Sequence, residues 1–224
     1  MFKLFVAVFL LLLPVSTVYA ASYARDVEKC AKIMEENPAE VTVTYNFGEI
    51  KYDFSKSSKE IPLPQKGVEV NGVINGLTEF SPSVGLESIL DVKALSEDRY
   101  CLYPKKVKVT IWYEPKVYIA KDLKKGSCRY ELTMRHEQTH LQIAHQIILM
   151  SAQALKVQSP LILKRVGPQV SRQPMEAKMD LETIYQQRVN ELGKVFASAL
   201  EQKNKELDTE ENYAKEDTLC KSAF

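Results

Sequence analysis

The sequence predicts an α+β protein: an antiparallel β-sheet followed by a long helical hairpin. Three observations lead there. Between residues 41 and 120 the chain carries β-branched, alternating runs, clearest in Lys106 to Trp112, where apolar and polar residues alternate as on a half-buried strand. From Arg129 to Val157 there is neither Gly nor Pro, and apolar residues recur at helical spacing. From Pro174 to Leu207 a second stretch carries the apolar stripe Leu181, Tyr185, Leu192, Phe196 and Leu200.

In chain order, Met1 to Ala20 reads as a signal peptide. A Lys at position 3 precedes an apolar run from Leu4 to Val18, and Val18-Tyr19-Ala20 places small residues where an export peptidase reads them. The run is too short to cross a bilayer, which takes about 20 residues. The expected product is a periplasmic or secreted chain cut after Ala20, with no stable membrane insertion. Residues 21–224 then form a single domain, mainly β over 21–127 and mainly α over 128–224.

Arg25 to Glu36 reads as a short helix ended by Asn37-Pro38. Val41–Phe47 and Glu49–Phe54 read as a hairpin turning near Gly48, and Val68–Ile74 as a further strand. Lys106–Trp112 and Val117–Ala120 read as two strands separated by Glu114-Pro115. Residues 56–66 and 80–85, rich in Ser, Lys and Pro, read as loops. Ser127 can cap the first long helix, with Glu131 in its first turn. Pro160 and Gly167-Pro168 mark the hairpin turn, and Pro174 opens the second helix. Asp208-Thr209-Glu210-Glu211 resembles a capping box with Asp208 as the cap, before a short helix bearing Tyr213 and Cys220.

Charge excludes some partners. Thirty Lys and Arg balance 29 Asp and Glu, interspersed, which argues against nucleic acid or an anionic membrane. Four cysteines in an exported chain read as two disulfides. Cys101–Cys128 is the expected pair, its ends brought together by a hairpin, which leaves Cys30–Cys220. No C-x-x-C pair suggests a zinc ribbon.

The chemistry concentrates in Arg135-His136-Glu137-Gln138-Thr139-His140, which contains H-E-x-x-H. On a helix, His136 and His140 lie on one face a turn apart, so both imidazoles can reach one Zn2+ ion. Glu137 need not bind the metal and can serve as general base toward zinc-activated water. Leu132, Ile143, Ile147 and Ala154 share that face, so the ligands should point into the packed side. The chain has only three histidines. The third, His145, is the weaker ligand candidate, because nine residues after His136 a straight helix has turned to the opposite face.

A carboxylate from the returning helix is the better expectation for a third ligand. A turn over Pro160–Pro168 places Glu191 opposite His140, with Glu182 and Asp180 competing and Asp208 within reach only if the helix bends. Val117–Ala120 is a candidate edge strand for an extended peptide substrate. Tyr130, Tyr185 and Tyr213 are candidates to stabilise an oxyanion.

Val117-Tyr118-Ile119-Ala120, Gly126-Ser127-Cys128-Arg129-Tyr130 and His136-Glu137-Gln138-Thr139-His140 together resemble a family of secreted bacterial proteins described, by inference, as zinc-dependent proteases. The resemblance covers roughly residues 100–150, with a weaker echo at Leu207-Asp208-Thr209 and Tyr213. Family members often carry Gly where Thr139 stands. The resemblance implies a zincin-like domain with His136 and His140 as zinc ligands and Glu137 as base. It implies a bacterial, periplasmic or secreted setting and supplies no substrate. The expected function is thus an exported zinc metallopeptidase acting on a peptide or protein. The alternatives are a non-catalytic zinc-binding interaction or assembly protein of the envelope, and a metal-free helical envelope protein.

Overall fold

The computed structural model describes residues 15–62 and 74–221, with backbone alone for 15–19 and 221. The elements run α1 (Val15–Glu36), β1 (Glu40–Phe47), β2 (Lys51–Asp53), β3 (Gly76–Ala94), β4 (Tyr100–Ile119), α2 (Cys128–Val166), β5 (Gln169–Ser171), α3 (Pro174–Leu207) and α4 (Glu210–Lys221). The expected strand Val68–Ile74 falls, apart from Ile74, outside the described residues, as does most of the leader.

The fold is α+β, but the sheet is not the expected antiparallel one. β4 is its centre, and all four other strands pair with it. β1 and β2 run parallel to β4, through Glu40–Phe47 against Lys106–Tyr113 and Lys51–Asp53 against Lys116–Tyr118. They are therefore not a hairpin. Both follow one another along β4, with a one-residue slip around Gly48, whose N–H donates to the Tyr113 carbonyl at 2.8 Å. β3 lies antiparallel along the whole of β4, with a bulge at Ile89/Leu90, and β5 is antiparallel to Tyr100–Leu102. Because β3 occupies one edge of β4 throughout, β5, β1 and β2 share the other edge in succession.

That arrangement explains one misread proline. Glu114-Pro115 does not end a strand: β4 runs through it and through Pro104. Pro104 falls between the stretches of β4 paired with β5 and β1, and Pro115 between those paired with β1 and β2. At both gaps the missing N–H forfeits no ladder bond. Residues 80–85, expected as a loop, belong to β3. Pro82 stands on its outer edge, where a donor is again dispensable.

The core forms between one face of the sheet and the two long helices. Val107, Val109, Ile111 and Tyr113 alternate inward from β4 and meet Ala144, Ile148, Ala152 and Leu155 of α2 and Leu181, Tyr185 and Val189 of α3. Each buried aliphatic side chain contributes about 1.5–3 kcal/mol. This outweighs the roughly 3 kcal/mol cost of Pro160 inside α2, which is flanked by buried Leu155, Ser159 and Leu163. α2 therefore continues to Val166 and stops at Gly167, whose φ of 72° suits glycine. β5 then returns the chain to the sheet before α3, so the long helices are not a plain hairpin.

Both disulfide expectations are overturned. The bridges are Cys30–Cys101, tying α1 to β4, and Cys128–Cys220, tying the start of α2 to the end of α4. The expected Cys101–Cys128 pairing needed a hairpin between them, whereas β4 and its following loop carry the two cysteines apart. Two disulfides fit an oxidising, extracytoplasmic location. Among the described residues no helix is long and apolar enough to cross a membrane. α1 passes without a break through Ala20-Ala21. Its anchors lie beyond that point: Asp26 and Ser22 accept from Arg99 at 2.7 and 2.9 Å, and Cys30 is bridged.

Candidate metal centre

Ser127 caps α2 as its sequence suggests, its hydroxyl accepting from the Tyr130 N–H at 3.3 Å. One turn apart on this helix, His136 and His140 turn into the packed side, their side chains only 4 % and 8 % exposed. Both Nε2 atoms lie 3.0 Å from one atom, Oδ1 of Asp208, at the end of α3. These three residues form a group whose ligand atoms all lie within 4.8 Å of one another and could hold a metal ion.

The donor set fits a small divalent ion. Tetrahedral zinc with ligands at about 2.0–2.1 Å separates its donors by about 3.3 Å, a small adjustment from the spacing here. The far nitrogens are also provided for. Nδ1 of His136 donates to Glu216 Oε1 at 3.2 Å, and Nδ1 of His140 donates to Asn204 Oδ1 at 3.0 Å. With the proton held on Nδ1, each Nε2 lone pair is free for a metal. The Tyr213 hydroxyl donates to Asp208 Oδ1 at 3.0 Å, and its ring stacks on His136 with centroids 5.0 Å apart.

Charge follows this geometry. Burial opposes protonation of His136, but the Asp208 hydrogen bond and the Glu137 and Glu216 carboxylates outweigh it and raise its pKa to about 9. His140 is raised in the same way, burial again yielding chiefly to Asp208. Burial also opposes ionisation of Asp208, yet its bonds to the two imidazoles hold it well below the usual carboxylate range. In the metal-free chain the Asp208 carboxylate thus favours the protonated imidazoles.

Glu137 faces the sheet. It is 4 % exposed, and Oε2 accepts from the Thr78 hydroxyl at 2.6 Å. Burial raises its pKa, with the Thr78 bond and the two histidines pulling the other way. Gly76 makes room for it: a Cβ there would stand 2.5 Å from Glu137 Oε1 and 2.7 Å from Thr133 Cγ2.

The other expected residues lie elsewhere. Glu191 pairs with Arg188 on the exposed face of α3, Glu182 accepts from Ser88 at 2.9 Å, and Asp180 is exposed. The lead given to Glu191 assumed a turn at Pro160–Pro168. With α2 ending at Val166 and α3 starting at Pro174, the midpoint lies near residue 170, which brings residues around 200 opposite His140. Asp208 is not the cap of α4 but the end of α3; the Thr209 hydroxyl caps α4 by accepting from the Asn212 N–H at 3.2 Å. His145 packs edge-on against Phe47, away from the group. Of the three tyrosines, Tyr185 is in the core and Tyr130 packs against the cluster of Val117, Ile119 and Leu141, leaving Tyr213 at the centre. Val117–Ile119 is central in the sheet and offers no edge.

Sequence reasoning missed Asn204, Glu216, Thr78 and Gly76. A signal existed for the first: Asn204 and Asp208 stand four apart on one helical face, like the histidines they meet. No protein-family model, curated protein or solved structure matches this chain, so nothing outside it identifies a protease family.

Proposed function

We propose that this chain is an exported zinc metallohydrolase of the peptidase type. The observation that carries the reading is the convergence of His136, His140 and Asp208 beside a separate buried carboxylate, Glu137. Zinc held there supplies a Lewis acid and lowers the pKa of water at the site toward 7. Glu137 takes the proton of the attacking water and passes it to the leaving amine. The Thr78 hydroxyl donates to Glu137 Oε2 and holds it in place.

Access supports catalysis. Against the two buried imidazoles, the Asp208 side chain is 35 % exposed, so the group opens to solvent on that side. The sheet supports a peptide as substrate. Just before β3 the Asn75 carbonyl faces β4, accepting from Ala120, while on β3 Val84 O and Leu86 N face away and are met by the Gln186 side chain. By the strand's period of two, Gly76, Thr78 and Phe80 turn their N–H and C=O outward, the first two beside Glu137. Among the described residues no strand pairs with that edge, and an extended peptide can add to it as a further strand. Export as a bacterial periplasmic or secreted protein, with cleavage after Ala20, belongs to the same proposal.

One observation favours the second reading, a zinc-holding envelope module without turnover. The Tyr213 hydroxyl lies 3.4 Å from His136 Nε2 and could close a four-donor shell. Glu137→Gln separates the two. The peptidase reading expects zinc to be retained while hydrolysis of a peptide library falls by about 10²–10⁴-fold. Hydrolysis undiminished in Glu137→Gln contradicts the assigned base, and no hydrolysis by zinc-loaded wild type favours the module.

A further inference from the structure

α4 is held in an unusual way for a helix that completes a site. None of its residues from Glu210 to Cys220 is buried, so no apolar core fixes it. It lies against α2 through a disulfide, an ion pair, a hydrogen bond and a ring contact. Cys220 is bridged to Cys128, Asp217 pairs with Arg129, Glu216 accepts from His136 Nδ1, and Tyr213 stacks on the His136 ring. Two of these links end on a histidine of the metal group. The other two lie at the far end of α4, where Cys220 follows Glu216 by one helical turn.

We propose that the Cys128–Cys220 disulfide is a staple that sets the metal affinity of the centre, by holding Glu216 and Tyr213 of α4 on His136. The proposal rests on the metal-centre reading above. An exposed helix of 12 residues is marginal in water. Released from Cys128, α4 frays, Glu216 leaves Nδ1, and the orientation of His136 toward the metal is lost. Glu216 and Tyr213 are on this account positioning residues. The chain would thus acquire its full metal affinity only after oxidation, in the compartment where disulfides form.

Linkage gives a reciprocal consequence. If the bridge strengthens metal binding by some factor, bound metal stabilises the bridge by the same factor. Zinc should protect Cys128–Cys220 from a phosphine reductant and leave Cys30–Cys101 as reducible as before.

The test is zinc affinity, by competition with a chromophoric chelator, for the oxidised chain, Cys128→Ser/Cys220→Ser, Glu216→Ala and Glu216→Gln. Removal of a metal ligand's hydrogen-bond partner typically costs 10–100-fold in affinity. A loss of that order is expected in the double serine variant and in Glu216→Ala, with part of it recovered in Glu216→Gln, whose amide oxygen still accepts. The visible spectrum of bound cobalt should change in the same variants. Unchanged affinity in the double serine variant, with a native circular dichroism spectrum, overturns the staple and leaves the metal centre standing. If that variant does not fold, Glu216→Ala decides: unchanged affinity there removes α4 from the centre, and the staple with it. A wild-type chain that binds no zinc overturns both readings.

Discussion

Asp208 stands 72 residues after His136 in sequence and 3.0 Å from it in space. It reaches the same distance from His140. One carboxylate oxygen thus gathers two imidazoles from the N-terminal third of α2 onto the junction of α3 and α4. The packing of α2 and α3 on the sheet fixes where that junction falls. The candidate centre is therefore a product of the whole α half of the fold and not of the H-E-x-x-H turn alone.

The acid–base behaviour of the metal-free chain should follow from that contact. The folded pKa of His136, about 9, lies above its ordinary 6.5. Its contribution to stability is complete below pH 6.5 and is lost as pH rises through about 9. Asp208 is depressed, so its contribution is present above its ordinary 3.8 and is lost as pH falls. The metal-free melting temperature should accordingly decline between pH 6.5 and 9.5, by about 2–4 °C for each kcal/mol involved. The zinc-loaded chain should show the opposite trend near neutrality, because metal binding displaces protons from the imidazoles. Thermal melts of both forms across this range check it; parallel trends in the two forms would be inconsistent with a shared site.

Thr78 should matter to the chemistry more than to the metal. Its hydroxyl is the neutral partner of a buried carboxylate, a bond of the kind worth about 1.5–3 kcal/mol. Thr78→Val should raise the pKa of Glu137 further, since the lost bond lowers it. The acidic limb of the rate–pH profile should then move to higher pH with zinc affinity unchanged, and Thr78→Ser should restore it. A Thr78→Val profile identical to wild type would detach Thr78 from Glu137.

Gly76→Ala should be costly. The new methyl would stand 2.9 Å from Glu137 Cγ as well as against Glu137 Oε1 and Thr133. Overpacking of this kind costs about 1–3 kcal/mol. Denaturant unfolding should show the loss, and an unchanged midpoint would mean that Glu137 has room to move.

Removal of the other disulfide should act on stability alone. Cys30–Cys101 joins α1 to β4 beside Tyr103, in a cluster separate from the metal group. Cys30→Ser/Cys101→Ser should cost about 2–5 kcal/mol and leave zinc affinity as it was. A fall in affinity to match that of the Cys128 and Cys220 variant would point to general loosening and not to a local staple.

The parts of this molecule legible from sequence are those set by local physics. The period of the two long helices, the Ser127 cap and the facing of His136 and His140 all follow from spacing within a few residues. Strand direction did not, because parallel pairing of β1 with β4 joins residues some 66 positions apart and leaves no local signature. Pro115 misled for the same reason: its tolerance depends on a gap in the neighbouring edge. Pro160 misled because burial on either side of it outweighs the lost hydrogen bond. That one error moved the turn and put Glu191 in the place that Asn204 and Asp208 occupy.

Whether His136, His140 and Asp208 hold a metal is decided by the zinc content of the purified chain beside Asp208→Ala, His140→Ala and Glu191→Ala. About one zinc per chain is expected in the wild type and in Glu191→Ala, and its loss in Asp208→Ala and His140→Ala. No zinc in the wild type after reconstitution, or zinc fully retained in Asp208→Ala, would contradict that assignment.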